Sequence, residues 1–229
     1  MQSSTKLSVI MSCFNSSETV AESIESVLNQ TYKNFEFLIC DDSSTDDTYS
    51  IIQKYSNLDN RIKCFRNNTN LGLTKSLNIL LKKSRFSIIA RQDADDISYK
   101  NRFQLQLNYL FKKNLDLVSC LTIKNGRTIP NISRYLPIKF TLRYKNPIIH
   151  GSIIVKKNAI KKVNNYDEYF KFAQDYKLIC DLILNNKKVG ILKKVLYFSN
   201  SINNISNTYY KEQMQYADEI KNYYRENIN

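Results

Sequence analysis

The feature that most limits how this chain can fold is an alternation held over its first 120 residues. Short apolar runs rich in β-formers alternate with segments whose apolar residues recur at helical spacing. The pattern predicts strands at 7–14, 35–40, 62–65, 86–90 and 115–123, and helices at 17–29, 46–55, 73–81 and 99–112. Segment 17–29 carries Val20, Ile24, Val27 and Leu28 along one face, with Ser16 or Ser17 placed to cap it. Strands joined through helices give an α/β fold, a mostly parallel central sheet with helices on both faces. In such sheets ligands bind beyond the carboxyl ends of the strands. Three polar clusters fall at such ends, Asn15-Ser16-Ser17, Asp41-Asp42-Ser43 and Gln92-Asp93-Ala94-Asp95-Asp96, and are expected to converge on one crevice.

Beyond residue 123 the pattern loosens. Residues 125–146 read as loop, with Gly126, Pro130 and Pro137. A strand is expected at 148–155, a helix at 173–184, and a strand or strand pair at 189–198. A last helix at 209–224 would bury Tyr210, Met214, Ala217, Ile220 and Tyr224 along one face. The expectation is one fused domain of two halves, 1–123 and a smaller 124–229 ending in that helix.

Size and chemistry narrow the class. A chain of 229 residues buries enough surface to fold without disulfide or metal staples. Its five cysteines are scattered and form no CxxC pair, which argues for buried reduced thiols. No apolar stretch approaches the roughly 18–20 residues that span a bilayer, and the N-terminus lacks a secretory pattern. A cytoplasmic protein is expected. The net charge of +13 is uneven: residues 121–200 hold 16 Lys+Arg against 4 Asp+Glu, whereas residues 1–120 hold 15 against 13. A basic second half suits an anionic partner, whether an anionic membrane surface, a pyrophosphate-linked acceptor or nucleic acid.

With only four glycines the chain can write neither GxGxxG nor a P-loop, so any nucleotide must be held by side chains and metal. Asp93, Asp95 and Asp96 place three carboxylates within four residues directly after a strand. Such a group suits a hard divalent cation, although it also fits a solvated turn ahead of a helix. Asp41-Asp42-Ser43-Ser44-Thr45-Asp46-Asp47-Thr48 puts further carboxylates where a base edge could be read, and Ser44, Thr45 or Asp46 could cap the next helix.

In order and spacing these motifs resemble the inverting glycosyltransferase family 2, with its GT-A fold. The matching residues are Val9–Asn15, Asp41–Thr48, Asn70-Leu71-Gly72-Leu73 with Lys75 and Asn78, and Ile89–Ile97 followed by Arg102 and Gln106. His150-Gly151-Ser152, Tyr166-Asp167 and Ala173-Gln174-Asp175-Tyr176 continue the likeness, which runs from about residue 7 to 185. The resemblance implies a UDP-sugar donor, Mn²⁺ or Mg²⁺ bridging its diphosphate, and a glycan or lipid-linked acceptor in O-antigen, capsule or lipopolysaccharide synthesis. Residues 1–123 would then be the nucleotide-sugar half and 124–229 the acceptor half.

Ser12 and Asp42 would contact the uracil, Asp93 the ribose or the metal's outer shell, and Asp95 the metal. Asn15, Asn70, Gly72, Lys75, Arg91 and Ala94 would complete the donor site. Asp175 would be the general base, with His150 and Gln174 on the acceptor side. Family members often carry Glu-Asp where this chain has Gln174-Asp175, and Trp-x-Arg-like residues where it has Ile179 and Asp181, so the acceptor pocket should differ. Three rival readings fit less well. A basic nucleic-acid binder lacks a recognised module, a nucleotidyltransferase lacks a triphosphate clamp near Ser12–Ser17, and a non-catalytic sugar-nucleotide binder would not need Asp93, Asp95 and Asp175 intact.

Overall fold

A computed structural model of the chain describes residues 5–200 and 210–228. The first half follows the expected alternation: β1 (Leu7–Cys13), α1 (Val20–Leu28), β2 (Phe35–Asp41), α2 (Thr48–Leu58), β3 (Ile62–Arg66), α3 (Leu73–Lys83), β4 (Ile88–Arg91), a two-residue β5 (Ile97–Ser98), α4 (Arg102–Lys112) and β6 (Leu117–Lys124). The second half adds β7 (Arg127–Ile129), α5 (Ile138–Thr141), β8 (Ile154–Lys156), α6 (Lys157–Lys162), α7 (Gln174–Leu184), β9 (Val189–Ser199) and α8 (Tyr210–Asn227).

All of these strands join one sheet in the order β3-β2-β1-β4-β8-β6-β9-β5, with β7 paired to β6. The strands β3, β2, β1 and β4 are parallel, and so is β6 with β9. The pairings β4–β8, β6–β8, β5–β9 and β6–β7 are antiparallel, so the sheet is mixed once it leaves the first half. The α/β class therefore holds, and its parallel parts are the four-strand segment that ends at β4 and the β6–β9 pair.

Why the strands read as apolar is visible in their faces. Every residue of β2 is buried, as a parallel strand covered on both sides requires. Alternate residues divide between two cores. Ile10, Leu38 and Ile89 pack with Leu77 and Leu80 of α3 and with most of α7. Val9, Met11, Phe37 and Ile39 pack with Ile24 of α1, Ile52 of α2 and Phe103 of α4.

Several local expectations shift. α1 starts at Val20, with Thr19 at its N-cap; Ser16 contributes its backbone carbonyl, which accepts the N–H groups of Thr19 and Val20. α2 starts at Thr48 because the Asp46 carboxylate accepts the Thr48 N–H at 3.0 Å. The expected loop at 125–146 contains β7, a 3₁₀ turn at Ile132–Tyr135 and α5. The expected strand at 148–155 is a 3₁₀ turn, His150–Ser152, followed by the short β8. α8 buries Ile220 and Tyr224, while Tyr210 and Met214 are exposed and Tyr216 instead meets the rings of Tyr169, Phe170 and Phe172. Residue 209 lies outside the described residues. Cys13, Cys40, Cys120 and Cys180 are buried free thiols and Cys64 is half-buried.

Candidate functional site

The three polar clusters follow the neighbouring strands β1, β2 and β4, so they lie at adjacent ends of the sheet. The β1–α1 and β2–α2 loops are stitched together: the Asn15 N–H donates to Ser44 Oγ at 3.0 Å and the Thr45 N–H to Asn15 Oδ1 at 2.9 Å. The Ser16 N–H donates to Thr48 Oγ1 at 2.7 Å and the Ser17 N–H to Asp46 Oδ2 at 3.0 Å. Asn15 sits at φ 47°, a left-handed conformation that Asn tolerates, which turns its side chain into the neighbouring loop. Ser12 lies half-buried near the end of β1, in register with Cys40 of β2.

Asp42 is a buried clamp on the loop that leads into α3. Its Oδ1 accepts from Asn67 Nδ2 at 2.7 Å and from the Leu71 N–H at 2.9 Å, and its Oδ2 accepts from the Gly72 N–H at 2.8 Å. Gly72 has φ 84°, which favours glycine, and Asn70 Oδ1 also accepts its N–H at 3.1 Å. The neighbouring Asp41 is fully buried, pairs with Arg66 at 3.1 Å, and leaves its Oδ1 without a hydrogen bond. Lys75 projects from the first turn of α3 and is exposed.

The acidic loop after β4 is held from both sides. Ser23 of α1 donates to the Asp93 carbonyl at 2.7 Å, and the buried Gln92 donates to Ser23 Oγ at 3.0 Å and to the Asp96 carbonyl at 2.8 Å. The Asp93 N–H donates to the Tyr197 hydroxyl of β9 at 3.1 Å. Asp93 Oδ1 pairs with the fully buried Arg91 at 2.5 Å. Ala94 is buried behind the turn. Burial, then the charge of Asp93, raises the Asp95 pKa to about 6. Asp96 is pushed up further by burial and by its two acidic neighbours, and its Oδ1 accepts the Asn200 N–H at 2.9 Å.

The second half closes over this loop. A Cβ on Gly151 would stand 2.3 Å from Asp93 Oδ2 and 2.3 Å from the Tyr197 hydroxyl, so only glycine lets the 3₁₀ turn approach so closely. The buried Arg102 ties the same parts together, donating to the Gly151 carbonyl at 3.1 Å and to the Arg91 carbonyl at 2.6 Å while stacking on Tyr197. His150 Nε2 shares a hydrogen bond with the Tyr166 hydroxyl at 2.8 Å. Enclosure and the Arg91 charge push the imidazole pKa down to about 3, so His150 is neutral at working pH.

Asp175 occupies the first turn of α7, next to the buried Gln174. Ala173 in front of them adopts φ 56°, a sparsely populated conformation for a residue with a Cβ, and this aims the helix start. Burial raises the Asp175 pKa to about 6, and Asn146 opposes that by donating to Oδ2 at 2.9 Å. A carboxylate so tuned is ionised at neutral pH yet more basic than a free one, which suits proton abstraction.

The expected residues thus fall into one group at the ends of β1, β2 and β4 and the start of α3, and a second at His150 and α7. Sequence reading missed Asn67, Asn146 and Tyr197, and it quoted Gly151 and Tyr166 without a role. Only Gly151, beside the single histidine in a glycine-poor chain, carried a local signal. Among the described residues, no three His, Cys, Asp or Glu side chains gather as ligands for a metal. Asp95 with Asp93 nevertheless offers hard oxygen donors whose mutual repulsion a cation would relieve, so the donor set fits Mg²⁺ or Mn²⁺ with further ligands from a bound diphosphate.

A curled mixed sheet carrying these loops is the architecture of GT-A glycosyltransferases. It superposes on Staphylococcus aureus TarS with a TM-score of 0.74 at 25 % identity, covering 93 % of this chain and 39 % of that one. Over residues 8–170 the sequence matches the family model for Glycosyl transferase family 2, and the chain belongs to that family. The O-antigen biosynthesis glycosyltransferase WbnJ of Escherichia coli is 34 % identical, over 75 % of this chain and 69 % of its own length. The E. coli UDP-Glc:alpha-D-GlcNAc-diphosphoundecaprenol beta-1,3-glucosyltransferase WfgD is 30 % identical, over 79 % of this chain and 70 % of its own. The chain spans 62 % of the length of the Bacillus subtilis relative EpsE, to which it is 36 % identical over 72 % of its own residues.

Proposed function

We propose that the protein transfers a hexose or N-acetylhexosamine from a UDP-sugar to a hydroxyl of a glycan or lipid-linked acceptor, with inversion, in bacterial surface-polysaccharide synthesis. The observation that carries this reading is the packing of the second half onto the acidic loop, with a buried carboxylate of raised pKa in that same half. Gly151 comes within a Cβ's reach of Asp93, and the Asp175 pKa is raised chiefly by burial, with a small further push from the Asp93 charge. The donor class is supported by the names of relatives and neighbours. WfgD is named for UDP-Glc and a diphosphoundecaprenol acceptor, and TarS has been solved with UDP-GlcNAc at 24 % identity. A mannosyltransferase of similar fold, 17 % identical, has been solved with GDP-Man and Mn²⁺.

In this reading residues 1–123 hold the donor and 124–229 the acceptor. Ser12, Asn15 and the Asp42-clamped Asn70–Gly72 turn frame the base and ribose, with Lys75 and Arg91 adding positive charge. Asp95, backed by Asp93, would hold Mn²⁺ or Mg²⁺, whose chemistry there is to offset the charge growing on the leaving diphosphate. Asp175 takes the proton from the acceptor hydroxyl as its oxygen attacks the anomeric carbon and the bond to the diphosphate breaks. His150, neutral and tied to Tyr166, orients rather than titrates, and Gln174 borders the acceptor.

The test is Asp175→Asn, which keeps size but cannot take a proton. Single-turnover transfer at saturating donor should fall about 10²–10⁴-fold with UDP affinity unchanged. Transfer at the parent's rate would move the base elsewhere, to Asp181 or Asp167.

A further inference from the structure

Between Asp116 and Asp167 the chain carries ten Lys and Arg residues and no Asp or Glu. Within that run the 3₁₀ turn Ile132–Tyr135 and α5 present a row of large apolar side chains to solvent: Ile132 is 71 % exposed, Tyr135 65 %, Phe140 50 % and Tyr144 57 %, with Leu136 between them. Lys139, Arg143 and Lys145 are exposed among them. The rings are already dressed with cations, Lys193 lying 4.6 Å and Arg134 5.0 Å from the Tyr135 centroid, and Arg225 5.8 Å from that of Tyr144. These side chains point outward from a firmly held backbone. The Tyr176 hydroxyl donates to the Leu142 carbonyl at 2.5 Å, Tyr224 to that of Lys139 at 3.2 Å, and Arg225 Nε to that of Arg143 at 2.9 Å.

We infer that residues 132–145 form a docking surface for an anionic lipid bilayer. Aromatic and aliphatic side chains interleaved with cations match the chemistry of the headgroup boundary, where rings and alkyl groups enter the interface and Lys or Arg meets lipid phosphate. The alternatives fit less well. A second copy of this surface would set cations against cations, and Ile132 and Leu136 have no π-face to stack on a nucleic-acid base. The surface also ends at the chemistry. Asn146, one residue past Lys145, donates to Asp175. Resting on the reading of Asp175 as base, the same docking would bring the acceptor side of the site to the membrane face that displays a lipid-linked acceptor.

The experiment is co-sedimentation of the full chain with phosphatidylcholine vesicles, with and without phosphatidylglycerol, at low and high salt. The parent should partition to the anionic vesicles and be largely but not wholly released by salt. Each cation near such a surface contributes about a factor of five. Lys139→Gln/Arg143→Gln/Lys145→Gln should therefore lose about a hundredfold, and Ile132→Ser/Phe140→Ser should lose the binding that persists at high salt. Circular dichroism confirms that both variants are folded, and the parent's salt titration needs no variant. Equal partition of the parent to both vesicle types, or parent-like binding by both folded variants, overturns the proposal. So does self-association lost in the Ile132→Ser/Phe140→Ser variant without vesicle binding, or tighter binding to single-stranded oligonucleotides than to vesicles. Vesicle partition needs neither donor nor acceptor, so failure of the docking surface and failure of Asp175 as base are read separately.

Discussion

As the proposed base Asp175 must be deprotonated to work, so a pKa of about 6 should set an acid limb on the rate, with turnover falling as pH drops through that value. Asn146 favours the ionised form by donating to Oδ2. Asn146→Leu removes that donor, so the limb should move to higher pH and the rate at pH 6 should fall more than the rate at pH 8. A pH–rate profile checks this; a change in melting temperature with an unmoved limb would make Asn146 a packing residue only. The acidic loop divides in the same residue-by-residue way. Asp96 is turned toward the Asn200 N–H and is buried, whereas the backbone hydrogen bond of the Asp95 carboxylate is to its own N–H and ties it to no other element. Asp95→Ala should therefore abolish Mn²⁺-dependent UDP binding in calorimetry, and Asp96→Ala should weaken it less. Unchanged metal-dependent affinity in Asp95→Ala would remove that residue from the metal.

At the level of elements, the proposed donor side depends on loops that hold one another. Asp42 satisfies two consecutive backbone N–H groups, Leu71 and Gly72, at the entry to α3, and it also holds Asn67. Removing the carboxylate takes the partner from the Leu71 N–H, while Gly72 keeps Asn70 Oδ1 and Asn67 keeps Ser76, and the lost hydrogen bonds are worth about 1 kcal/mol. Asp42→Ala should thus lower stability in denaturant titrations by roughly that amount and weaken UDP binding through a loosened 67–72 turn. Weakened UDP binding at unchanged stability would instead make Asp42 a direct reader of the base. The elements themselves were largely legible. α1 and α4 are amphipathic helices and β2 is a wholly buried strand, so apolar spacing located each. Helix starts moved where loop hydrogen bonds decided them, as when Asp46 captured the Thr48 N–H. α5 and β7 were read as loop because two prolines and a glycine hide elements of three or four residues, which have too little length to show a period.

For the whole molecule, the two halves are not separable bodies. β8 lies between β4 and β6, and β9 pairs with β6 on its other side, so the second half completes a sheet that the first half begins. Residues 1–123 expressed alone should lack a cooperative thermal transition, while the full chain should unfold in one. Near-ultraviolet circular dichroism on both chains checks this, and a sharp transition in the shorter one would show an independent domain. Near neighbours in the chain carried the α/β alternation, the buried thiols, the carboxylate clusters at strand ends, and the family through the order of its motifs. Only the tertiary structure decided that the sheet turns antiparallel at β8, that Tyr197 and Gly151 brace Asp93, and that Asn146 reaches Asp175. Those contacts join residues 29 to 104 positions apart, from Asn146–Asp175 to Asp93–Tyr197. A period of two or 3.6 residues reports which face of an element is apolar, but it holds no information on which distant side chain that face will meet.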